Sequence, residues 1–135
     1  MQPVHIILIE DNPADVLLVK KALEEGGVSY SLTHFESGAE AVQALCAPTG
    51  EPVAPVDAVL LDLNTPRTDG FEALLKLRQS PRLAEVPIAI LTSSRALSDK
   101  HRAAIHGVRY IEKPSRLADF LASVGQAIKE MVAAA

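Results

Sequence analysis

Three short apolar runs most constrain how this chain can fold. They are residues 6–9, 58–61 and 88–91, and each holds four aliphatic side chains with no polar residue between them. A strand with one face in water alternates apolar and polar residues, whereas a parallel strand covered on both faces has no need to do so. The runs therefore predict buried strands in a sheet that carries helices on both faces.

Weaker strand patterns and helical patterns fill the intervals between these runs. Residues 30–35 and 108–111 are two further candidate strands. Five segments repeat apolar residues at helical spacing and begin or end at proline, glycine or serine, which commonly bound helices. These helical segments are residues 13–25, 38–45, 71–79, 98–106 and 116–131, the last with Ser115 as its predicted cap.

Strand and helix thus alternate five times along the chain. This alternation is typical of the α/β class, and it predicts a doubly wound five-stranded parallel sheet with right-handed crossovers and five helices. Residues 47–55 carry three prolines and are interpreted as a surface loop before the third strand. We therefore expect residues 1–135 to form a single domain.

Composition argues against several functional classes. The chain has 17 Asp and Glu against 13 Lys and Arg, which argues against nucleic acid held by a general basic field. The single cysteine, Cys46, excludes an internal disulfide. No apolar run approaches the ~20 residues that span a bilayer, and the N-terminus acquires charges too soon for a secretory signal. These features predict a cytoplasmic protein that binds neither membrane nor nucleic acid.

Polar residues stand directly after four of the five predicted strands. Glu10 and Asp11 follow the first strand, Asp62 the third, Thr92 the fourth, and Lys113 comes soon after the fifth. In an open α/β sheet, ligands bind at the carboxyl ends of the strands near a topological switch point. We therefore expect three acids, a hydroxyl and a lysine to converge at one edge of the sheet.

This set of side chains suits metal-assisted phosphoryl chemistry. Three crowded carboxylates repel one another, and a divalent cation relieves the repulsion. Oxygen ligands at a partly open site favour Mg²⁺, which keeps several of its waters. A carboxylate beside such a metal can attack phosphorus and form an acyl phosphate, and Asp62 is the predicted nucleophile. Lys113 and Thr92 could then bind the phosphoryl oxygens.

Each of these residues also has a simpler interpretation. Glu10 and Asp11 could form the acidic first turn that a helix dipole favours, and Asp62 could cap a loop. Lys113 could belong to a plain strand-to-helix turn, and Thr92 could cap the segment after it. These interpretations explain the residues singly but leave their common position at successive strand ends unexplained.

The motifs that carry these residues resemble the receiver domain of two-component response regulators. The resemblance runs from LIEDNPAD through DLNTPRTDG and ILTSS to YIEKP, and so covers essentially the whole chain. It implies the flavodoxin-like receiver fold, with Mg²⁺ held by Glu10, Asp11 and Asp62 and by the backbone carbonyl of Asn64. It also implies that Asp62 is the phosphoacceptor for a histidine kinase.

The resemblance assigns the rest of the predicted site. In receivers the residues that match Thr92 and Lys113 bind the phosphoryl oxygens. Tyr110 matches the switch aromatic that turns inward when the threonine moves towards the phosphate. The surface expected to respond consists of the fourth helix, the fifth strand and the fifth helix. Tyr110 also has a simpler interpretation, because a tyrosine at a strand end commonly fills the core and keeps its hydroxyl in water.

Within the family, the sequence is similar to small stand-alone regulators paired with bacterial phytochrome-type sensor kinases. The stretch LIEDNPADVLLVKKALEE, the long loop before the third strand and DLNTPRTDG carry this similarity. Thr65 and Thr68 depart from the expected pattern, since receivers commonly have apolar side chains there. Ser115 is a further departure, at a position where many receivers have phenylalanine. The two threonines line the loop beside the predicted phosphate.

The resemblance also predicts partners and output. The expected partner is a sensor histidine kinase, and no DNA-binding or catalytic output domain is expected after the receiver. The output is then contact with another protein, and we expect homodimerisation through the fourth helix, the fifth strand and the fifth helix. The protein is not expected to be an enzyme, beyond assisting its own phosphorylation and dephosphorylation.

Two other functions fit parts of the sequence. A receiver-like scaffold that works without phosphate is one alternative, although such modules typically lose an acid and this chain keeps Glu10, Asp11 and Asp62. A phosphatase of the haloacid dehalogenase type is the other. Its motif normally lies in the first strand and needs a second aspartate two residues after the nucleophile, where this chain has Asn64.

Overall fold

The structure, a computed structural model, describes residues 3–46, 55–66 and 68–133. Within these ranges five strands and five helices alternate along the chain. They are β1 (Val4–Ile9), α1 (Pro13–Glu25), β2 (Tyr30–Phe35), α2 (Gly38–Leu45), β3 (Ala58–Leu61), α3 (Gly70–Gln79), β4 (Ile88–Thr92), α4 (Leu97–Ile105), β5 (Arg109–Glu112) and α5 (Leu117–Ala133). All five strands pair in parallel in one sheet, in the order β2-β1-β3-β4-β5. The predicted α/β class, with a doubly wound five-stranded parallel sheet and five helices, is confirmed.

The strand order places helices on both faces of the sheet. The chain moves outward from β1 to β2 and then returns past β1 to β3, β4 and β5. Helices α1 and α5 pack together on one face, and α2, α3 and α4 cover the other. The change of direction lies between β1 and β3, where an open α/β sheet has its ligand crevice.

Strand β1 shows why the apolar runs lack polar alternation. Ile6 and Leu8 pack into the core beneath α1 and α5, while Ile7 and Ile9 pack into the core beneath α2, α3 and α4. Because successive strand residues point to opposite faces, both sets must be apolar when both faces are covered. Within the described ranges, none of the covering helices is long and apolar enough to cross a bilayer.

Short polar side chains cap the N-termini of three helices. Asn12, Ser37 and Asp69 each accept a hydrogen bond from a backbone N–H in the first turn of α1, α2 and α3, at 2.9, 3.2 and 2.9 Å. These N–H groups have no partner within the helix, and the caps satisfy them. The predicted starts of these three helices therefore rest on side chains that the sequence shows directly.

The predicted cap at Ser115 is wrong. Helix α5 begins at Leu117, and the N–H of Phe120 donates to the carbonyl of Arg116 at 2.9 Å, so Arg116 occupies the capping position. Pro114 disfavours the helical region only for the residue before it, so the proline leaves either Ser115 or Arg116 free to begin the helix. The other predicted helix boundaries lie within a residue or two of those observed.

The proline-rich loop predicted at residues 47–55 lies outside the described residues, except for Pro55. The chain that follows Pro55 is fixed to β1. The N–H of Asp57 donates to the carbonyl of His5 at 2.8 Å, and the N–H of His5 donates to Asp57 Oδ2 at 2.7 Å. This pair of bonds sets the start of β3 beside β1.

Candidate functional site

The carboxyl ends of β1 and β3 bring two acids together. Ile9 pairs with Leu61 in the sheet, so the next residues, Glu10 and Asp62, emerge side by side. The N–H of Asp62 donates to the carbonyl of Ile9 at 3.0 Å. Both acids are almost fully buried, with 2% of Glu10 and 5% of Asp62 exposed. Buried carboxylates are costly unless other groups compensate their charge.

A third acid and a lysine complete the cluster. Asp11 is exposed, and carboxylate oxygens of Glu10, Asp11 and Asp62 lie within 4.8 Å of one another. Lys113 follows β5, and its Nζ lies 3.1 Å from Glu10 Oε1 and 3.0 Å from Asp62 Oδ2. Its backbone N–H donates to the carbonyl of Thr92 at 2.7 Å, which keeps the lysine beside the end of β4. The structure therefore places these predicted site residues at one edge of the sheet.

The two buried acids of the cluster, Glu10 and Asp62, have pKa values shifted in opposite directions. Burial, a hydrogen bond with Asp62 and the charge of Asp62 raise the pKa of Glu10 to about 8. Burial also acts to raise the pKa of Asp62, but the hydrogen bond from Glu10, the N–H of Asn64 and the nearby ammonium outweigh it. The pKa of Asp62 therefore lies below its usual value. At neutral pH a proton rests on Glu10 while Asp62 is ionised, which is the form that a nucleophile needs.

A chain of hydrogen bonds leads from Asp62 to Tyr110. The N–H of Asn64 donates to Asp62 Oδ1 at 3.0 Å, and its side-chain Nδ2 donates to Thr92 Oγ1 at 3.3 Å. The same hydroxyl oxygen accepts the N–H of Ser94 at 3.2 Å. The hydroxyl of the half-buried Tyr110 donates to the carbonyl of Ser94 at 2.6 Å. The loop after β3 is thereby connected to β5 through the end of β4.

Asp15 also belongs to this cluster, although no sequence motif predicted it. Its Oδ2 lies 2.8 Å from Nζ of Lys113. Asp15 stands in the first turn of α1, directly after the strand end that carries Glu10. The first turn of a helix that follows such a strand end lies next to the ligand crevice, and this was the available sequence signal.

The two threonines that depart from the receiver pattern bond to the first turn of α2. Thr65 Oγ1 accepts the N–H of Gly38 at 3.3 Å, and Thr68 Oγ1 accepts the N–H of Ala39 at 3.3 Å. These N–H groups have no partner within the helix. The loop after β3 therefore completes the cap of α2 that Ser37 begins.

The chain is similar to known response regulators in sequence. The family model for the response regulator receiver domain matches residues 6–125. The chain is 34% identical over 129 residues to the probable methanogenesis regulatory protein FilR2 of Methanothrix harundinacea, covering 95% of this chain and 83% of that protein. It is 32% identical over 124 residues to the response regulator Rcp1 of Synechocystis sp., covering 90% of this chain and 84% of Rcp1.

Two solved structures of response regulators share the fold closely. The phosphorylated cyanobacterial phytochrome response regulator RcpA has a TM-score of 0.88 at 29% identity, over 99% of this chain and 97% of RcpA. The Mn²⁺-bound form of Rcp1 has a TM-score of 0.81 at 31% identity, over 92% of this chain and 91% of that one. Both likenesses extend over nearly the whole fold and are not confined to the sheet.

Proposed function

This chain belongs to the response regulator receiver domain family, and we propose that it accepts a phosphoryl group on Asp62 from a sensor histidine kinase. The observation that carries the proposal is the position of Asp62. It is a buried, ionised carboxylate at the end of β3, in contact with Lys113 and beside two other acids. The predicted resemblance to phytochrome-associated regulators is confirmed by the likeness to RcpA. A phytochrome-type kinase is therefore the donor that we propose.

In the proposed reaction, a carboxylate oxygen of Asp62 attacks the phosphorus of a phosphohistidine. The P–N bond breaks, the leaving ring nitrogen keeps the electron pair and takes a proton from solvent, and the new P–O bond makes an acyl phosphate. Nζ of Lys113, 3.0 Å from Asp62 Oδ2, is placed to bind a phosphoryl oxygen. The hydroxyl of Thr92 accepts bonds from Asn64 and Ser94, so its own proton remains to be donated to the phosphoryl group.

The donor set of this edge fits Mg²⁺. Carboxylate oxygens of Glu10, Asp11 and Asp62 lie within 4.8 Å of one another, and the backbone carbonyl of Asn64 would add a further hard oxygen. Asp11 is exposed, so the cluster is open to the waters that Mg²⁺ retains. When bound, Mg²⁺ neutralises negative charge on the phosphoryl oxygens. Rcp1, a similar protein, has a Mn²⁺-bound form, which supports the proposal that this chain binds a divalent cation.

The proposed output is a change in protein binding at the surface formed by α4, β5 and α5. Tyr110 on β5 packs against the core cluster that includes Ala103 of α4. Its hydroxyl bonds to Ser94, whose N–H bonds in turn to Thr92. A phosphoryl group that draws the Thr92 hydroxyl towards itself would disturb these bonds. The protein is then a switch and not an enzyme that acts on other molecules, and its proposed partners are the kinase and a second copy bound through this surface.

Phosphorylation at Asp62 can be tested by intact-mass spectrometry after incubation with Mg²⁺ and acetyl phosphate. We expect one phosphoryl adduct that requires Mg²⁺ and is absent from Asp62→Asn, with circular dichroism showing that the variant is folded. Asp119→Asn changes an exposed aspartate in the first turn of α5 and should keep the adduct. A folded protein that binds Mg²⁺ but forms no adduct with acetyl phosphate or a phytochrome-type kinase contradicts the proposal. The phosphate-independent scaffold then becomes the better account.

A further inference from the structure

The ammonium group of Lys113 lies within hydrogen-bond distance of three acidic side chains. It has three N–H bonds, and its Nζ lies 2.8 Å from Asp15 Oδ2, 3.0 Å from Asp62 Oδ2 and 3.1 Å from Glu10 Oε1. The contacts are shielded from water, since 11% of the Lys113 side chain and 20% of the Asp15 side chain are exposed. Exposed ion pairs contribute little, whereas shielded charge-assisted hydrogen bonds can fix a side chain.

Asp15 differs from the other two partners of Lys113 in having no second role. Asp62 is the proposed phosphoacceptor and Glu10 is a proposed metal ligand, so both must change their contacts when metal and phosphoryl group bind. The acids whose oxygens meet within 4.8 Å do not include Asp15. Among the described acids that contact Lys113, Asp15 is therefore the one that can hold the ammonium unchanged throughout the reaction.

We infer, resting on the function proposed above, that Asp15 is a positioning residue that holds the Lys113 ammonium beside Asp62 during phosphoryl transfer. One N–H of Lys113 can then turn from the acceptor carboxylate to a phosphoryl oxygen. Asp15 lies on a helical turn that begins with the Asn12 cap and Pro13, whereas the lysine side chain is long and flexible. A fixed partner reduces the entropy that must be lost to place the ammonium. Asp15 acts through Lys113 and not on the phosphoryl group itself.

The test compares the rate of adduct formation with acetyl phosphate, at saturating Mg²⁺, in four proteins. They are the wild type, Asp15→Asn, Lys113→Gln and the double variant. Asp15→Asn keeps the shape of the side chain and removes its charge. Asp119→Asn is the matched control, because Asp119 is an exposed acid in the first turn of another helix. It removes a similar interaction with a helix dipole without touching Lys113.

We expect Asp15→Asn to lower the rate at least about threefold and Asp119→Asn to leave it unchanged. In the Lys113→Gln background, Asp15→Asn should have no further effect, because the ammonium that it positions is absent. An equal fall in both backgrounds would indicate a merely structural role and overturns the inference. A wild-type rate in Asp15→Asn overturns it as well, and so does a faster rate, which would mean that Asp15 withholds Lys113 from the phosphate.

Urea unfolding of the same four proteins without metal gives a second readout that needs no phosphate. Asp15→Asn should lower stability when Lys113 is present and raise it in the Lys113→Gln background. In that background the change removes one carboxylate from an acid cluster that has lost its cation. If Asp15→Asn changes the free energy of unfolding with the same sign in both backgrounds, Asp15 and Lys113 do not stabilise each other, and the inference is overturned. If Lys113→Gln forms no adduct, rates cannot be compared in that background. The unfolding free energies of the four proteins and the adduct rate of Asp15→Asn then test the inference.

The proposed function and this inference fail in different ways. If the wild type forms no adduct, the proposed function is wrong and the inference falls with it, even where the unfolding cycle shows that Asp15 and Lys113 interact. If the wild type forms the adduct and Asp15→Asn forms it at the same rate, the inference alone is wrong.

Discussion

The side-chain amide of Asn64 donates to the hydroxyl of Thr92 at 3.3 Å, which ties the loop after β3 to the buried end of β4. Thr92 is fully buried, and its oxygen also accepts the N–H of Ser94. The hydroxyl therefore stands between the proposed phosphoacceptor and the strand that carries Tyr110. Its lone pairs are engaged before phosphorylation, and its proton is the group left to respond to a new acceptor.

Replacing Thr92 by valine should uncouple Tyr110 from the phosphate. Valine keeps the shape but removes the acceptor of the Ser94 N–H, so we expect the free energy of unfolding to fall by about 1–3 kcal/mol in urea. Phosphorylation should shift the NMR signals of the Tyr110 ring in the wild type and in Thr92→Ser, which keeps the hydroxyl, but not in Thr92→Val. A wild-type shift in Thr92→Val would contradict this route from the site to β5.

The threonines of the loop after β3 should differ in their contribution to stability. Thr65 is 5% exposed, and its hydroxyl accepts the buried N–H of Gly38. Thr65→Val should lower the free energy of unfolding by about 1–2 kcal/mol, because that N–H would lose its partner away from water. Thr68→Val should lower the free energy of unfolding by less, since Ala39 is exposed and water can replace Thr68 as the acceptor of its N–H. Urea unfolding measures the loss of stability in both variants. Equal losses would show that burial of the N–H group does not determine the cost of removing its acceptor.

Sequence patterns were enough to predict the residues whose positions depend on the sheet. Glu10 and Asp62 each follow an apolar run, and parallel strands bring their carboxyl ends to one edge of a sheet. The partner of Thr65 could not be predicted in this way. Gly38 lies 27 residues away along the chain, and its contact depends on how closely α2 approaches the loop. Asp15 was missed for a related reason, because the packing of α1 against α5 decides which side chains of its first turn reach the site.

The apparent affinity for Mg²⁺ should rise with pH. Chiefly through burial, the pKa of Glu10 is raised to about 8, so this acid is protonated at neutral pH in the metal-free protein. Metal ligation needs the ionised carboxylate, and binding must therefore release the proton. The affinity should increase by up to about tenfold per pH unit below pH 8 and level off above it.

Isothermal titration calorimetry in two buffers of different ionisation enthalpy measures the released proton directly. We expect about one proton per Mg²⁺ at pH 7 in the wild type. Glu10→Gln has no carboxyl proton to release, so it should bind Mg²⁺ more weakly and without this pH dependence. An affinity that stays constant between pH 6 and pH 8 in the wild type would mean that Glu10 is ionised before the metal arrives.

Gly70 should tolerate no larger side chain. A Cβ at Gly70 would lie 2.7 Å from Cα and 3.2 Å from the carbonyl oxygen of Leu63, and these backbone atoms cannot rotate away. We therefore expect Gly70→Ala to lower the free energy of unfolding by about 1–3 kcal/mol, and to slow phosphorylation because Leu63 directly follows Asp62. Gly107→Asn is the comparison without crowding, since the space there is open and its cost is the strain of a positive φ of 66°, which asparagine adopts more readily than most other residues. Wild-type stability and adduct rate in Gly70→Ala would show that the loop moves without cost.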